Sequence, residues 1–157
     1  MMESSHKDHG KKKITEVTTF SVPFNLEVKK NITIHSDIPS SLPKEKIIKQ
    51  AFKFHSQGNA LKAAKYYQLF INKGFKDHRV FSNYGIVLKE LGKLKEAELS
   101  LRKAIEISPD IADSYCNLGI LLRDKGNFNE AEISTRKAIE LNPDYAVAHY
   151  NLGLILK

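Results

Sequence analysis

The chain has few of the residues on which most catalytic or covalently stabilised proteins depend. Its 157 residues include one cysteine, Cys116, and no tryptophan, which excludes a disulfide framework and paired-cysteine metal motifs. The six histidines have no recurring acidic partner, and no Gly-rich phosphate loop, Gly-x-Ser-x-Gly elbow or His-Glu-x-x-His motif occurs. We therefore expect no enzymatic activity, no catalytic residues, no metal and no cofactor in this chain.

Long apolar runs are also missing. No run approaches the roughly 18 apolar residues of a membrane span, and the first thirteen residues are polar and basic, without the apolar centre of a secretory signal. The composition, 41% hydrophobic and 27% charged, is that of a globular domain of ordinary size. These features predict a soluble, cytoplasmic protein without a membrane partner.

The net charge of +7 does not indicate a nucleic-acid surface. Residues 1–43 hold six lysines and five acidic residues, and the remaining nineteen basic and thirteen acidic residues are interleaved over the rest of the chain. Only Lys11, Lys12 and Lys13 form a tight cluster, whereas phosphate-binding surfaces need clustered basic residues, often with aromatic side chains. We expect no nucleic-acid partner.

A fixed period of 34 residues runs through the second part of the chain. Asn83, Asn117 and Asn151 each begin a near-copy of one phrase, Asn-Tyr-Gly once and Asn-Leu-Gly twice, at this spacing. Other residues keep the same step: Gly58, Gly92 and Gly126, Ala63, Ala97 and Ala131, and Pro109 and Pro143. A period of about 20 to 50 residues is the signature of a repeat array, so function is expected on a recurring surface.

Each unit is predicted to contain two amphipathic helices. Apolar residues recur every three or four positions, as Phe81, Tyr84 and Leu88 do in one first segment. Gly92 and Gly126 are predicted to end first helices, because glycine accepts the left-handed backbone of a helix C-cap. The second helices are predicted to end at Ser-Pro-Asp (108–110) and Asn-Pro-Asp (142–144), because proline disfavours helical geometry in the residue before it.

These residues resemble the tetratricopeptide repeat, a family that pairs an aromatic residue and Leu-Gly in the first helix with Ala, a bulky residue and Pro in the second. One unit shows Phe81, Tyr84, Gly85, Leu88, Ala97, Leu101 and Pro109, and the next Tyr115, Leu118, Gly119, Leu122, Ala131, Thr135 and Pro143. The resemblance implies an all-α fold, a right-handed superhelix of antiparallel helix pairs over residues 44–157. Its units would be a degenerate repeat (44–77), two repeats (78–111 and 112–145) and an incomplete one (146–157).

Two kinds of position within the units give physical expectations. Gly85, Gly119 and Gly153 lie in mid-helix, where glycine costs about 1 kcal/mol relative to alanine, so we expect close helix approach there. Thr135 occupies the place of a bulky residue and is expected to loosen the packing around it. Gly74 is expected to end the second helix of the degenerate repeat, which lacks the proline.

The segment before the repeats has a different pattern. Apolar residues alternate from Phe20 to Val28 and return at Ile32 and Ile34, which predicts a short β-hairpin-like segment over residues 14–35. Residues 36–43 contain two prolines and several serines and are predicted to be a linker. We expect residues 1–13 to be a disordered tail.

The resemblance implies that the first helices line a concave groove that binds an extended peptide. The residues placed there are Ser82, Asn83, Ile86, Lys89, Cys116, Asn117, Ile120, Arg123, Tyr150, Asn151 and Leu154. The recurring amides resemble the asparagine ladder of O-linked N-acetylglucosamine transferase, because an asparagine amide both donates and accepts hydrogen bonds and can hold a peptide backbone. The carboxylate-clamping set of chaperone co-factors is absent, since Phe52 and Ile86 replace its asparagine.

Several alternatives remain open at this stage. The three asparagines either contact a ligand or bond within the array, and Glu90 and Asp124 follow two of the cations and are able to neutralise them. The function is expected to be that of an adaptor or scaffold with a protein or peptide partner. The alternative is the substrate-recognition portion of a longer glycosyltransferase or sulfotransferase. The chain stops inside an apolar helix, which favours either a longer parent protein or self-association through that helix.

Overall fold

The described part of the chain is all-helical. A computed structural model describes residues 38–39 and 41–157, and these contain seven helices and no strand. The helices are α1 (Lys44–Ser56), α2 (Ala60–Asn72), α3 (His78–Glu90), α4 (Leu94–Ile107), α5 (Ala112–Asp124), α6 (Phe128–Leu141) and α7 (Ala146–Ile155). The all-α prediction is confirmed. The predicted tail at 1–13 and the hairpin-like segment at 14–35 lie outside the described residues, as do positions 36, 37 and 40 of the predicted linker.

Glycine ends the first helix of each pair, as the sequence predicts. Gly92 follows α3 with a φ of 74°, and its amide donates to the carbonyl of Lys89 at 2.9 Å. Gly58 after α1 and Gly126 after α5 adopt the same left-handed backbone, with φ values of 70° and 79°. Gly74 does so after α2, with φ 76°, so its predicted role as a helix stop is also confirmed.

Proline ends α4 and α6. Ser108 and Asn142, which precede Pro109 and Pro143, are extended, with φ near −140° in both (−143° and −140°). The ring of a proline clashes with a helical backbone in the preceding residue. Each connection to the next helix therefore turns sharply after these residues, and consecutive helices pack against each other.

The odd-numbered helices lie side by side. Every helix packs on its neighbours in the chain, and α5 also contacts α3 and α7. Buried residues fill the space between this row and the row of α2, α4 and α6, among them Ile47, Tyr67, Phe70, Val80, Leu101, Leu121 and Leu122. Among the described residues, no helix combines the length and the apolar character needed to cross a membrane.

Two of the three mid-helix glycines lie where helices approach closely. A Cβ atom on Gly85 would stand 2.6 Å from Cγ of Leu101 and 3.2 Å from the carbonyl oxygen of Ala97. On Gly119 it would collide with Oγ1 of Thr135. The expectation of close approach is therefore confirmed at Gly85 and Gly119, whereas Gly153 has nothing within 4 Å of its Cβ position.

Thr135 tightens the array instead of loosening it. Its side chain is fully buried against Gly119, and its Oγ1 accepts a hydrogen bond of 2.9 Å from Nδ2 of Asn151. The expectation of loose packing was wrong, because the smaller side chain is compensated by a hydrogen bond that a leucine could not accept. This bond ties α6 to α7.

Two buried serines are expected to affect stability in opposite directions. Ser114 is fully buried and its hydroxyl has no partner within the described residues, whereas Oγ of Ser100 donates to the carbonyl of Phe81 at 2.8 Å. A buried hydroxyl without a partner costs about 1–3 kcal/mol. We expect Ser114→Ala to raise the free energy of unfolding by about 1 kcal/mol and Ser100→Ala to lower it by about the same amount.

Urea unfolding followed by circular dichroism measures both serine variants under the same conditions. The two substitutions remove the same atom from buried sites, so Ser100→Ala is the matched control for Ser114→Ala. A loss of stability in both would show that the Ser114 hydroxyl is bonded in the folded protein.

Candidate functional site

The predicted groove residues lie on α3, α5 and α7, and the side of these helices that carries them is here called the inner face. Three contacts join its helices. Nδ2 of Asn117 lies 3.3 Å from Oγ of Ser82, which links α5 to α3. Nζ of Lys89 lies 2.7 Å from a carboxylate oxygen of Asp124, and Nη1 of Arg123 lies 2.7 Å from Oδ1 of Asn151. The structure thus joins side chains of successive repeats that are 28 or 35 positions apart in the chain.

Asn83 and Asn117 keep part of the hydrogen-bonding capacity of their amides outside the array's own bonds. Both side chains are half-buried. Each amide donates one hydrogen bond within the array, Asn83 to the carbonyl of Arg79 at 2.8 Å and Asn117 to the hydroxyl of Ser82. Their Oδ1 atoms have no hydrogen-bond partner in the described part of the chain. One donor and one acceptor of each amide remain for a ligand, in an orientation that the internal bond holds.

Asn151 does not share this arrangement. It donates to Thr135 and accepts from Arg123, and at 1% exposure its amide is enclosed within the array. Of the two alternatives that the sequence left open for the asparagines, ligand contact or bonding within the array, the structure shows the second at Asn151. The physical reason is the threonine at position 135, which supplies a buried acceptor next to α7.

Cys116 is also withdrawn from the surface, in contrast to its predicted place in the groove. Its thiol is fully buried, packed among Ile120, Ile139 and Tyr145, and burial raises its pKa. Ser82 holds the equivalent place in α3 and is 8% exposed, whereas Tyr150 in α7 is 70% exposed. The three equivalent residues therefore offer different surfaces to a ligand.

The aliphatic residues Ile86, Ile120 and Leu154 are half-buried, so each leaves part of its side chain open beside the amides. Val147 in α7 is 50% exposed, and Leu156, which follows the helix, is 58% exposed. Self-association through this helix stays a prediction.

Asp124 pairs with two cations of the inner face and offsets one of their two charges. Its carboxylate pairs with Lys89 at 2.7 Å and with Arg123 at 2.8 Å. Partial burial opposes ionisation, but the hydrogen bonds from both cations outweigh it and lower the pKa of Asp124. The prediction that an acidic neighbour offsets these charges is confirmed in part, since Asp124 pairs with both cations but has a single negative charge.

A pocket between α1 and α3 extends the inner face. It is open to solvent, has a volume of about 340 Å³ and is lined by Phe52, His55, Ser56 and Asn83. Sequence reasoning did not select His55 as a site residue. The repeat register could have identified this residue, because Phe52 and His55 hold the same positions in α1 as Ile86 and Lys89 hold in α3.

No group of three or more His, Cys, Asp or Glu side chains comes close enough to hold a metal within residues 38–39 and 41–157. The polar groups of the inner face are amides, hydroxyls and paired charges. The amides and hydroxyls among them are able to donate and accept hydrogen bonds.

The comparisons with known proteins agree on one family. Residues 112–145 match the family model of the tetratricopeptide repeat, and residues 85–126 match a second model described as TPR repeat. Comparison with curated protein sequences finds no match.

Three solved structures have the same fold over most of the described chain. The TPR domain of Arabidopsis OM64 is 20% identical, with a TM-score of 0.68 over 71% of this chain and 93% of its own. The second TPR domain of human RPAP3, in complex with an HSP70 peptide, is 20% identical, with a TM-score of 0.69 over 73% and 95%. A mutant O-GlcNAc transferase of Thermobaculum terrenum is 25% identical, with a TM-score of 0.68 over 72% of this chain and 22% of its own. With the repeat period, the paired helices and the glycines that let them pack, these matches identify residues 85–145 as tetratricopeptide repeats.

Proposed function

We propose that the array binds an extended peptide segment of a protein partner along its inner face and serves as an adaptor or scaffold. The observation that carries this proposal is the pair Asn83 and Asn117. Each amide keeps one donor and one acceptor for a ligand, while an internal hydrogen bond holds it in place. A peptide group offers the complementary acceptor and donor.

The surroundings of the two amides favour a peptide over a small polar ligand. Ile86 and Ile120 are half-buried beside them, so apolar side chains of a bound segment would cover part of these residues. The two amides are one repeat apart, and an extended peptide backbone presents its own donors and acceptors at regular intervals along the same direction. A backbone-binding face selects weakly among sequences, so selectivity must come from other groups.

The comparison structures support a peptide as the type of ligand. The RPAP3 domain, which has the same fold over 73% of this chain, is in complex with an HSP70 peptide. The present chain differs at the site, since Phe52 and Ile86 stand where chaperone co-factors carry the asparagine of their carboxylate clamp. We therefore propose a peptide partner other than a chaperone tail.

A second candidate is supported by the match to the O-GlcNAc transferase, which covers only 22% of that chain. In this alternative the same face would present substrates to a catalytic domain elsewhere in a longer protein. The reading frame downstream of Lys157 tests it. An in-frame transferase domain would favour the alternative, and a stop codon would contradict it.

The double variant Asn83→Ala and Asn117→Ala tests the proposed function. Peptides selected from a random displayed library against the wild-type array are the probes. Each lost hydrogen bond is worth about 0.5–1.5 kcal/mol, so we expect the dissociation constant to rise roughly 10-fold or more, as measured by fluorescence anisotropy. Helix content should stay unchanged, because neither amide is buried in the core.

The matched control is Asn129→Ala, which removes an exposed asparagine from the outer helix α6 and should leave binding unchanged. Asn151 is left in place, because its substitution would disturb the folded array itself. Equal affinity of the double variant and the wild type would contradict the proposed function.

A further inference from the structure

One side of α7 is exposed although the equivalent side of α3 and of α5 is covered by a helix. Gly85 of α3 is buried against Leu101 of α4. Gly119 of α5 is buried in the same way against Thr135 of α6. Gly153 holds the equivalent position in α7, but it is exposed, and its Cβ position has nothing within 4 Å. The glycine that allows close packing is therefore present in α7 without a helix upon it in the described part of the chain.

The leucine three residues after each glycine shows the same contrast. Leu88 is 3% exposed and Leu122 is fully buried, and both lie in the core cluster that contains Ala97 and Ala131 of the outer helices. Leu156 holds the equivalent position just after α7 and is 58% exposed. The uncovered side of α7 is thus continuous with the seam in which α3 packs on α4 and α5 packs on α6.

This side of α7 is suited to a helix. The residues equivalent to those that α4 and α6 cover, here called the open face, are His149, Leu152, Gly153 and Leu156. The helix α7 contains no Lys, Arg, Asp or Glu, whereas the other six described helices all carry charged residues. An uncharged face with a glycine at its centre lets a second helix approach closely and bury the apolar seam of the array.

The helices α4 and α6 show which sequence fits such a face. Ala97 and Ala131 are buried, and their carbonyl oxygens lie 3.2 and 3.3 Å from the Cβ positions of the facing glycines. Four residues later, Leu101 or Thr135 fills the space beside the glycine. A larger residue in place of either alanine would overpack this contact. The pattern is therefore Ala-x-x-x-Leu or Ala-x-x-x-Thr.

Charge on α6 adds an acidic position to this pattern. Arg102 of α4 pairs with Glu98 of its own helix at 2.9 Å and with Glu130 of α6 at 2.8 Å. Arg136 holds the equivalent position in α6, and within residues 38–39 and 41–157 it pairs only with Glu132 of its own helix. Because Glu130 directly precedes the alanine of α6, a helix packed beside α6 in the same way would pair with Arg136 through an acidic residue just before its alanine.

We propose that the open face docks an amphipathic helix of a partner protein with the pattern Glu-Ala-x-x-x-Leu or Glu-Ala-x-x-x-Thr. The docked helix packs on α7 as α4 packs on α3, and its glutamate pairs with Arg136. A second folded copy of this chain has no such helix to offer, because Ala97 and Ala131 are buried in their own repeats. The open face consists of other residues than the inner face, so the inference does not depend on the proposed peptide binding.

The probe is a synthetic peptide of residues 93–110 of this chain, which contains the pattern as Glu96, Ala97 and Leu101. A side-chain bridge between positions 95 and 99, both exposed in α4, keeps the peptide helical, because a free helix of this length is marginal in water. NMR follows the titration of the isotope-labelled array with the peptide. We expect saturable shifts of backbone amides in α6 and α7 and none in α3, since the peptide docks on the open face and does not replace α4.

Gly153→Leu tests the docking contact directly. The leucine side chain would occupy the space that the docked helix needs, while the array itself has room for it. We expect the affinity for the peptide to fall roughly 10-fold or more, because the close helix contact is overpacked. The peptide variant Ala97→Leu should lose affinity to a similar extent for the same reason. The double variant Asn83→Ala and Asn117→Ala on the inner face is the control and should bind the peptide as the wild type does.

A double-mutant cycle tests the ion pair. Arg136→Gln in the array and Glu96→Gln in the peptide should each weaken binding roughly 2- to 5-fold, as expected for an exposed pair. Combined, they should weaken it no more than either change alone. Additive losses would show that the two side chains do not meet and would overturn the proposed docking geometry.

Four other results would overturn the inference. The absence of saturable shifts in the wild type, or unchanged affinity in Gly153→Leu, would show that the helix does not dock on the open face. Shifts of the α7 amides that depend on protein concentration without any peptide would show that a second copy covers this face. A reading frame that continues beyond Lys157 with the same pattern would place the helix in this chain and not in a partner. All four leave the proposed peptide binding untouched, since that is tested by the inner-face variants.

Discussion

Gly85→Leu is expected to lower the free energy of unfolding by about 3 kcal/mol, the upper end of the usual cost of overpacking. The first added atom alone would stand 2.6 Å from Cγ of Leu101 and 3.2 Å from the carbonyl oxygen of Ala97. Leu101 is 1% exposed and is packed in the core with Leu88, Leu118 and Leu122. The main-chain oxygen cannot give way without displacing α4 from α3.

The matched control is Gly153→Leu, the same substitution at the equivalent place in α7. A Cβ atom there meets nothing within 4 Å, and leucine has the better helix propensity. We expect a change within about 0.5 kcal/mol, as for most surface substitutions. Urea unfolding followed by circular dichroism compares the two variants, and equal losses at both positions would show that helix propensity or solubility, not close packing, explains the glycines.

Asn151→Ala is expected to lower the free energy of unfolding by about 2–3 kcal/mol. The substitution leaves the buried Oγ1 of Thr135 without its donor and removes the acceptor for Arg123. A buried polar group that loses its partner costs about 1–3 kcal/mol, and bonds to charged groups are worth more than neutral ones. The cavity left by a side chain that is 1% exposed adds to this loss.

The same substitution at the two equivalent positions provides the controls. Asn83→Ala and Asn117→Ala remove half-buried amides that have one internal bond each, and we expect losses below about 1 kcal/mol. Thermal and urea unfolding of the three variants measures the difference. Similar stabilities for all three would contradict the view that Asn151 has a structural role and the other two do not.

The parts of the fold that were predicted correctly depend on local chemistry. Gly92 ends α3 because its backbone is left-handed, and Pro109 ends α4 through its effect on Ser108. Both effects depend on the residue and its chain neighbours. The 34-residue period then places equivalent helices side by side, so the inner face could also be predicted.

The roles of individual residues on that face depend on residues distant in the chain. Asn117 and Asn151 hold equivalent positions, yet Asn117 bonds to Ser82 and stays half-buried, whereas Asn151 bonds to Thr135 and is buried. Cys116 is covered by Tyr145, which belongs to the connection before α7. A prediction from the repeat position alone assumes that equivalent residues have the same surroundings in every repeat. The partners differ between repeats, so the assumption fails for Asn151 and Cys116.

The pocket at α1, in contrast, could have been predicted from the repeat register in the sequence. Phe52 and His55 hold the groove register, but they belong to the degenerate repeat, in which the family pattern is weakest. The partner that orients the imidazole, Tyr67, lies in α2. Only the structure brings the two rings together.

The most direct test of the central claim is a crystal structure of the array with a peptide selected against it. The account predicts an extended segment along α3 and α5, with the amides of Asn83 and Asn117 hydrogen-bonded to its backbone and Asn151 still bonded to Thr135. A peptide bound elsewhere, for instance between the outer helices α4 and α6, with both amides open to solvent, would contradict it.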